Sequence, residues 1–312
     1  MSARKHFRAE KFDFASFFFS GLTGLATLLI LGILATILIN IIVNGWEGFS
    51  WHFVSTIPKK DFFDAKTTGV LPMIVGTTIR VLVMTLFVLP VGVITAIYLT
   101  EYASNTSLVT KFIRAAVNNL AGVPSIVFGL FGLGFFINFI GKNIDAVLHH
   151  PSAIWGQPAL IWAALTLAIM TMPVVIVATE ESLKAIPPGL REASLALGAT
   201  KLETILRVVL PQALPGIMTG GILAVSRAAG EVAPILFTGV AYYMASLPHH
   251  VTDQFMDLGY HVFVLSTQSP NIEQTRPILY ATVVALLLLT FALNLVAIVI
   301  RARVRKKLRA LG

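Results

Sequence analysis

Long apolar runs alternate with short polar stretches along this chain. The runs cover 17–43, 81–99, 115–140, 159–178, 215–243 and 277–300. A helix needs about 20 residues to cross a bilayer core of about 30 Å, so each run predicts one membrane span. The first has too long an apolar core for a secretory signal, and no small-residue cleavage site follows it, so a retained span is expected. A helix-compatible segment from Val70 leads into the second. Pro90, Pro124 and Pro173 fall inside the second, third and fourth runs, where kinks or interruptions are expected. Asn118 and Asn119 sit near the inner end of the third. Gly129, Gly132 and Gly134, and the pair Gly216 and Gly220, leave room for close helix approach, to this chain or to a partner. A short interfacial helix is expected within 244–275.

Charge gives these runs a direction. Of 312 residues 56% are hydrophobic and only 12% charged, about half the charged share of soluble domains. The net charge of +8 is gathered at Arg4, Lys5, Arg8 and Lys11, at Lys111 and Arg114, at Lys184 and Arg191, and from Arg301 to Arg309. That distribution follows the positive-inside rule rather than the single basic face of a nucleic-acid binder. Both termini are therefore expected in the cytoplasm, and the loops 44–69, 141–157 and 244–275 outside. Trp46 and Trp51 suit an interface. Arg80, near the outer end of its span, is expected to snorkel towards the headgroups, with a place on an anion route as the alternative. The expected organisation is a cytoplasmic tail over 1–16, a first membrane helix over 17–43, a five-helix domain over 70–300 with a cytoplasmic loop at 180–212, and a basic cytoplasmic tail over 301–312.

Several chemistries find no residues here. The chain has no cysteine, so it offers no disulfide and no thiolate ligand or nucleophile. No G-x-x-x-x-G-K-[ST] run is present, so ATP hydrolysis would need another chain. The pairs His149, His150 and His249, His250 are adjacent in sequence and read as solvated loop residues, not ligands. No cofactor or metal is expected, and no nucleophile–base set lies within the spans.

Two stretches carry candidate function. In PPGLREASLALGATKLETILRVVLP, residues 187–211, Pro188 suits a first helical turn, and Leu190, Ser194 and Leu197 share a face. Gly198 is placed to end that helix in a left-handed conformation, and Thr200 with Glu203 has the spacing of a capping box that starts another. Any amphipathic hairpin between two spans would share this geometry. In the second stretch, Arg227 and Glu231 are the only strong charges well inside an apolar run. An arginine there costs at least about 2.5 kcal/mol on insertion scales, so it must face protein or water. Two readings fit: a self-neutralising i,i+4 pair, or a guanidinium fork offered to a passing oxyanion, with Glu231 keeping the anion from binding too tightly. Arginine before glutamate is the weaker order along a helix dipole, which favours the second.

The order of residues adds a resemblance. Glu192-Ala193, Gly198 and, after nine residues, Val208-x-Leu210-Pro211 resemble the EAA loop of ABC importer permeases, with Ser194 and Val208 as mild departures. In that family the loop is cytoplasmic and docks on an ATPase subunit, which would give Arg191, Glu192, Ala193, Gly198, Leu210 and Pro211 a coupling role. SRAAGEVAPILFTG (226–239), NNLAGVPSIVFGLFGL (118–133) and YLTEYA (98–103) are similar to PstA-type permeases of bacterial phosphate ABC importers. Val232 stands where threonine is usual, and Val177 where members often carry arginine. The resemblance implies an all-α protein of six transmembrane helices, a MetI-like core with one additional N-terminal helix, in the bacterial plasma (inner) membrane. It also implies a PstC-type permease partner, a PstB-type ATPase dimer, a PstS-type phosphate-binding protein, and a substrate pathway through Arg227 and Glu231. The rivals are a permease for another oxyanion such as molybdate or sulfate, and an ATPase-independent secondary transporter or channel.

Overall fold

Apolar runs of this length become helices because a chain in hydrocarbon must satisfy each backbone N–H and C=O within itself. The computed structural model describes residues 14–58, 68–104, 106–150 and 152–309. Arg4, Lys5, Arg8 and Lys11 lie outside the described residues. The described chain forms α1 (Phe14–Gly45), α2 (Trp51–Ser55), α3 (Leu71–Ile97), α4 (Leu108–Leu120), α5 (Ser125–Phe131), α6 (Lys142–Val147), α7 (Leu160–Lys184), α8 (Pro188–Ala196), α9 (Lys201–Thr204), α10 (Leu210–Gly230), α11 (Leu258–Thr267) and α12 (Ile272–Arg309). Wider π-helical turns at Tyr98–Tyr102, Gly132–Gly141 and Ile205–Val209 extend α3, join α5 to α6 and join α9 to α10. Val240 and Phe255 form one isolated bridge, and the described residues contain no sheet. The protein is an all-α membrane protein, and its described residues include six helices long and apolar enough to span a bilayer.

Three boundaries differ from those the hydrophobic runs suggest. The third run splits: α4 is a separate amphipathic helix carrying Asn118 and Asn119 in its last turn, and the spanning helix begins only at Ser125. Pro124 causes the break, since the residue before a proline is pushed out of the helical region. The segment 141–157 is not all loop, because the helix continues to Val147. The fifth span covers Lys201–Gly230, beginning before Pro215 and stopping well short of Tyr243. Apolarity persists past Gly230, but Pro234 removes a donor and the chain leaves the helix in an extended conformation at Glu231.

The core centres on α7, which packs most extensively on α3 and α10. Val81, Met84, Leu167, Val175, Ala224 and Ala228 close the space between these three helices. A β-carbon at Gly216 or Gly220 would press on Ser182 or Ala178, so the small-residue pair serves α7 of the same chain. α12 packs against α10, and α1 lies on α12 with its other faces exposed, as suits a helix surrounded by lipid.

Candidate substrate route and coupling hairpin

The end of α10 is the structural centre of the first candidate site. Arg80, on α3, is nine residues beyond Leu71, or about 13 Å along that helix at about 1.5 Å per residue. Its Nη1 donates to the Ala228 carbonyl at 3.0 Å and its Nη2 to the Ala229 carbonyl at 3.3 Å. Helix α10 therefore stops inside the bundle, and non-helical chain continues at that depth. Such backbone is tolerated within a membrane only where protein encloses it or where it lines a wet cavity. Part of segment 231–257 is enclosed: Gly129 of α5 has no side chain and lies against the carbonyls of Ala233 and Pro234.

Arg227 lies in the last turn of α10, and its side chain is 44% exposed. Its Nε stands 3.6 Å from Oε1 of Glu231, whose side chain is 24% exposed. Glu231 is past the helix end, with φ −79° and ψ 127°. The two are thus no pair within one helix, so the order expected from the helix dipole does not apply to them. A cation in the last turn is favoured by the partial negative charge there. Among the described residues Arg227 makes no hydrogen bond with protein, and its guanidinium fork remains open to an anion.

Arg80 behaves in the opposite way. Its side chain is fully buried, and Nη2 lies 2.8 Å from Oδ2 of Asp257, also fully buried. The snorkelling expected from sequence is overturned, because the arginine turns inward to a carboxylate and two carbonyls. Asp257 is the N-cap of α11, accepting from the Tyr260 N–H, and its Oδ2 accepts from the Thr77 hydroxyl at 2.8 Å. The Leu258 N–H in turn donates to Thr77 at 3.0 Å. Sequence reading missed Asp257; its one local signal is an aspartate just before an apolar run, the position of an N-cap.

The second candidate site is the hairpin after α7. Gly198 has φ +86°, the left-handed conformation expected of it, and Thr200 with Glu203 forms the full capping box. Ser194 and Thr204 share a hydrogen bond of 2.9 Å that ties the two helices together. Glu192, Ala193 and Gly198 are exposed, as are the apolar side chains of Leu195 and Leu197. Leu210 and Pro211 are instead part-buried, and Leu210 packs on the cluster of Leu183, Ile186 and Val209 that anchors the hairpin. Arg191 points inward. It donates to Glu101 at 2.9 Å, to the Leu183 carbonyl at 2.8 Å and to the Ile186 carbonyl at 2.9 Å. Glu101 lies in the π-helical end of α3, so one ion pair joins the hairpin to the helix that carries Arg80. In sequence Glu101 stands only within YLTEYA, with no local signal of this partner.

Both histidine pairs have local partners. Asp253 accepts the backbone N–H groups of His249 and His250 at 2.9 and 2.8 Å, and the His250 N–H chiefly holds its carboxyl below the ordinary range. His150 faces Asp145 at 3.0 Å. No group of three metal-ligating side chains occurs among the described residues. Val177 is exposed on α7, one turn before Glu181.

Comparison with known proteins gives this architecture its family. Residues 88–310 match the profile of the binding-protein-dependent transport system inner membrane component. A probable ABC transporter permease protein, YqgI of Bacillus subtilis, is 36% identical over 70% of this chain and 68% of its own. The phosphate transport system permease protein PstA 1 of Mycobacterium tuberculosis is 37% identical over 63% of this chain, which spans 60% of that protein's length. The phosphate transport system permease protein PstA of Yersinia pestis is 33% identical over 86% of this chain and 83% of its own. A solved bacterial alginate ABC transporter contains a chain with the same fold, at 15% identity and a TM-score of 0.64, over 91% of this chain and 93% of that one. The chain belongs to the binding-protein-dependent transport system inner membrane components, the non-catalytic, multi-pass inner-membrane permease subunits of ABC transporters.

Proposed function

We propose that this chain is the PstA-type permease subunit of an ATP-driven importer of inorganic phosphate. One observation carries the reading: Arg227 offers a part-exposed guanidinium, with a loosely placed carboxylate beside it, where a helix ends inside the bundle. A fork of fixed donors matches the oxygens of phosphate, and Glu231 weakens retention enough for release. The similarity to phosphate permeases from two organisms supplies the substrate class.

In this reading both termini and the hairpin lie in the cytoplasm. A homologous permease completes the pathway, and an external phosphate-binding protein delivers the anion. An ATPase dimer docks on the exposed surface around Glu192, Ala193 and Gly198. ATP binding and hydrolysis there switch the permease pair between outward- and inward-facing states. Arg191, Leu210 and Pro211 carry the movement from the hairpin into the bundle, and Glu101 passes it to α3. Uptake of labelled phosphate into vesicles tests the proposal, using complex reconstituted with and without this chain. Uptake should require the chain and should resist competition by sulfate and molybdate. A complex that carries either of those anions in preference to phosphate would overturn the substrate assignment.

A further inference from the structure

The C-terminal end of an α-helix carries a partial negative charge, roughly half an elementary charge, on its unsatisfied carbonyls. Helix α10 presents that end one turn from Arg227, where it would repel an anion. Arg80 meets this end directly, with one fork arm on the Ala228 carbonyl and the other shared between the Ala229 carbonyl and Asp257. Asp257 in turn starts α11, and Thr77 closes the knot by bonding both Asp257 and the Leu258 N–H. Two carbonyls at the end of α10 and the carboxylate that caps α11 thus converge on one guanidinium of α3 that no solvent reaches.

We propose that Arg80, braced by Asp257, is a positioning residue for the anion site. It offsets the carbonyl end of α10 and pins that end against α11, so that Arg227 stays in the last helical turn with its fork toward the route. Arg80 does not itself meet the anion, because its side chain is fully buried and both its Nη groups are engaged by protein. The inference rests on the phosphate reading only for the substrate used in its test.

Lysine at this position separates positioning from mere neutralisation. A single ammonium can pair with Asp257 but cannot bridge a carboxylate and two carbonyls as a planar fork does. The Arg80→Lys complex should therefore reach the membrane in near-normal amount, yet take up phosphate about tenfold more slowly or worse. Position is read separately by pulsed EPR between labels on Gly230→Cys and Phe263→Cys, in a chain that has no cysteine of its own. A β-carbon at Gly230 meets nothing within 4 Å, and Phe263 is exposed on α11. In Arg80→Lys this distance distribution should broaden.

Support requires both changes. Normal uptake, or lost uptake with an unchanged distance, overturns the proposal. Should Arg80→Lys fail to assemble, the double variant Arg80→Met with Asp257→Leu removes both charges and leaves the carbonyl end bare. The same paired loss is expected there, and normal uptake or an unchanged distance again overturns it. If neither variant reaches the membrane, the cluster is a folding element and the positioning role is overturned too. The distance measurement involves no substrate, so it still decides if the wild-type complex proves to carry another oxyanion.

Discussion

Arg227 and Arg80 are the same kind of side chain in two electrostatic settings, one in the last turn of α10 and the other reaching that helix's end from α3. Arg80 is enclosed with both Nη groups engaged, whereas Arg227 is part-exposed and only loosely paired. Removing a buried charge's partner strands the other, while an exposed pair is worth little. Arg227→Gln should therefore leave membrane abundance nearly unchanged but reduce phosphate uptake about ten- to a hundredfold, the range set by losing a charged hydrogen-bond donor. Adding Glu231→Gln restores neutrality without restoring attraction, so uptake should stay low. Rescue of uptake in the double variant would show an internal ion pair and no substrate role. The candidate charge at 227 was legible because an arginine in an apolar run stands out wherever the chain goes. The clamp was not, because its partners meet across 180 positions and nothing local at Thr77 or Asp257 announces the other.

The candidate sites of this permease lie at helix ends, and those ends differ in how far sequence reveals them. The capping box at Thr200 and Glu203 and the left-handed Gly198 are set within six residues, so their chemistry is written locally. The stop at Gly230 is not, since the apolar run continues; tertiary contacts from Arg80 and α5 hold the non-helical chain that follows. Gly198 gives a prediction at this scale. A β-carbon there meets no neighbour, so a substitution acts through backbone strain alone. Gly198→Val should cost about 1–3 kcal/mol locally, change the angle between α8 and α9, and leave the bundle inserted. Co-purification of the ATPase subunit, or its transport-coupled hydrolysis, should fall severalfold. Unchanged docking and hydrolysis would remove the hairpin from the coupling route.

The whole molecule places its two kinds of loop at opposite ends of α7. At one end the N–H groups of Leu160 and Ile161 donate to the carbonyls of Asp253 and Val251, and Trp155 and Trp162 meet edge to face. At the other, Arg191 donates to the Leu183 carbonyl. A helix of 25 residues separates them by about 37 Å, enough to cross the hydrocarbon core. Orientation is therefore a single binary choice, and the fold does not make it; the lysines and arginines do. Lys111, Arg114, Lys184 and Arg191 cluster at the hairpin end, whereas 244–275 contains neither residue type. The hairpin end should face the cytoplasm. Single cysteines at Val251 and at Glu192 test this in the cysteine-free chain. Val251 is exposed, and substituting it spares Asp253, whose carboxylate holds the loop through two backbone N–H groups. An impermeant thiol reagent added to intact cells should label Val251→Cys at once and Glu192→Cys only after permeabilisation. The reverse pattern would invert the protein and separate the hairpin from any cytoplasmic ATPase. Labelling of both from outside would contradict a membrane-spanning α7, because no other route brings its two ends to the same face.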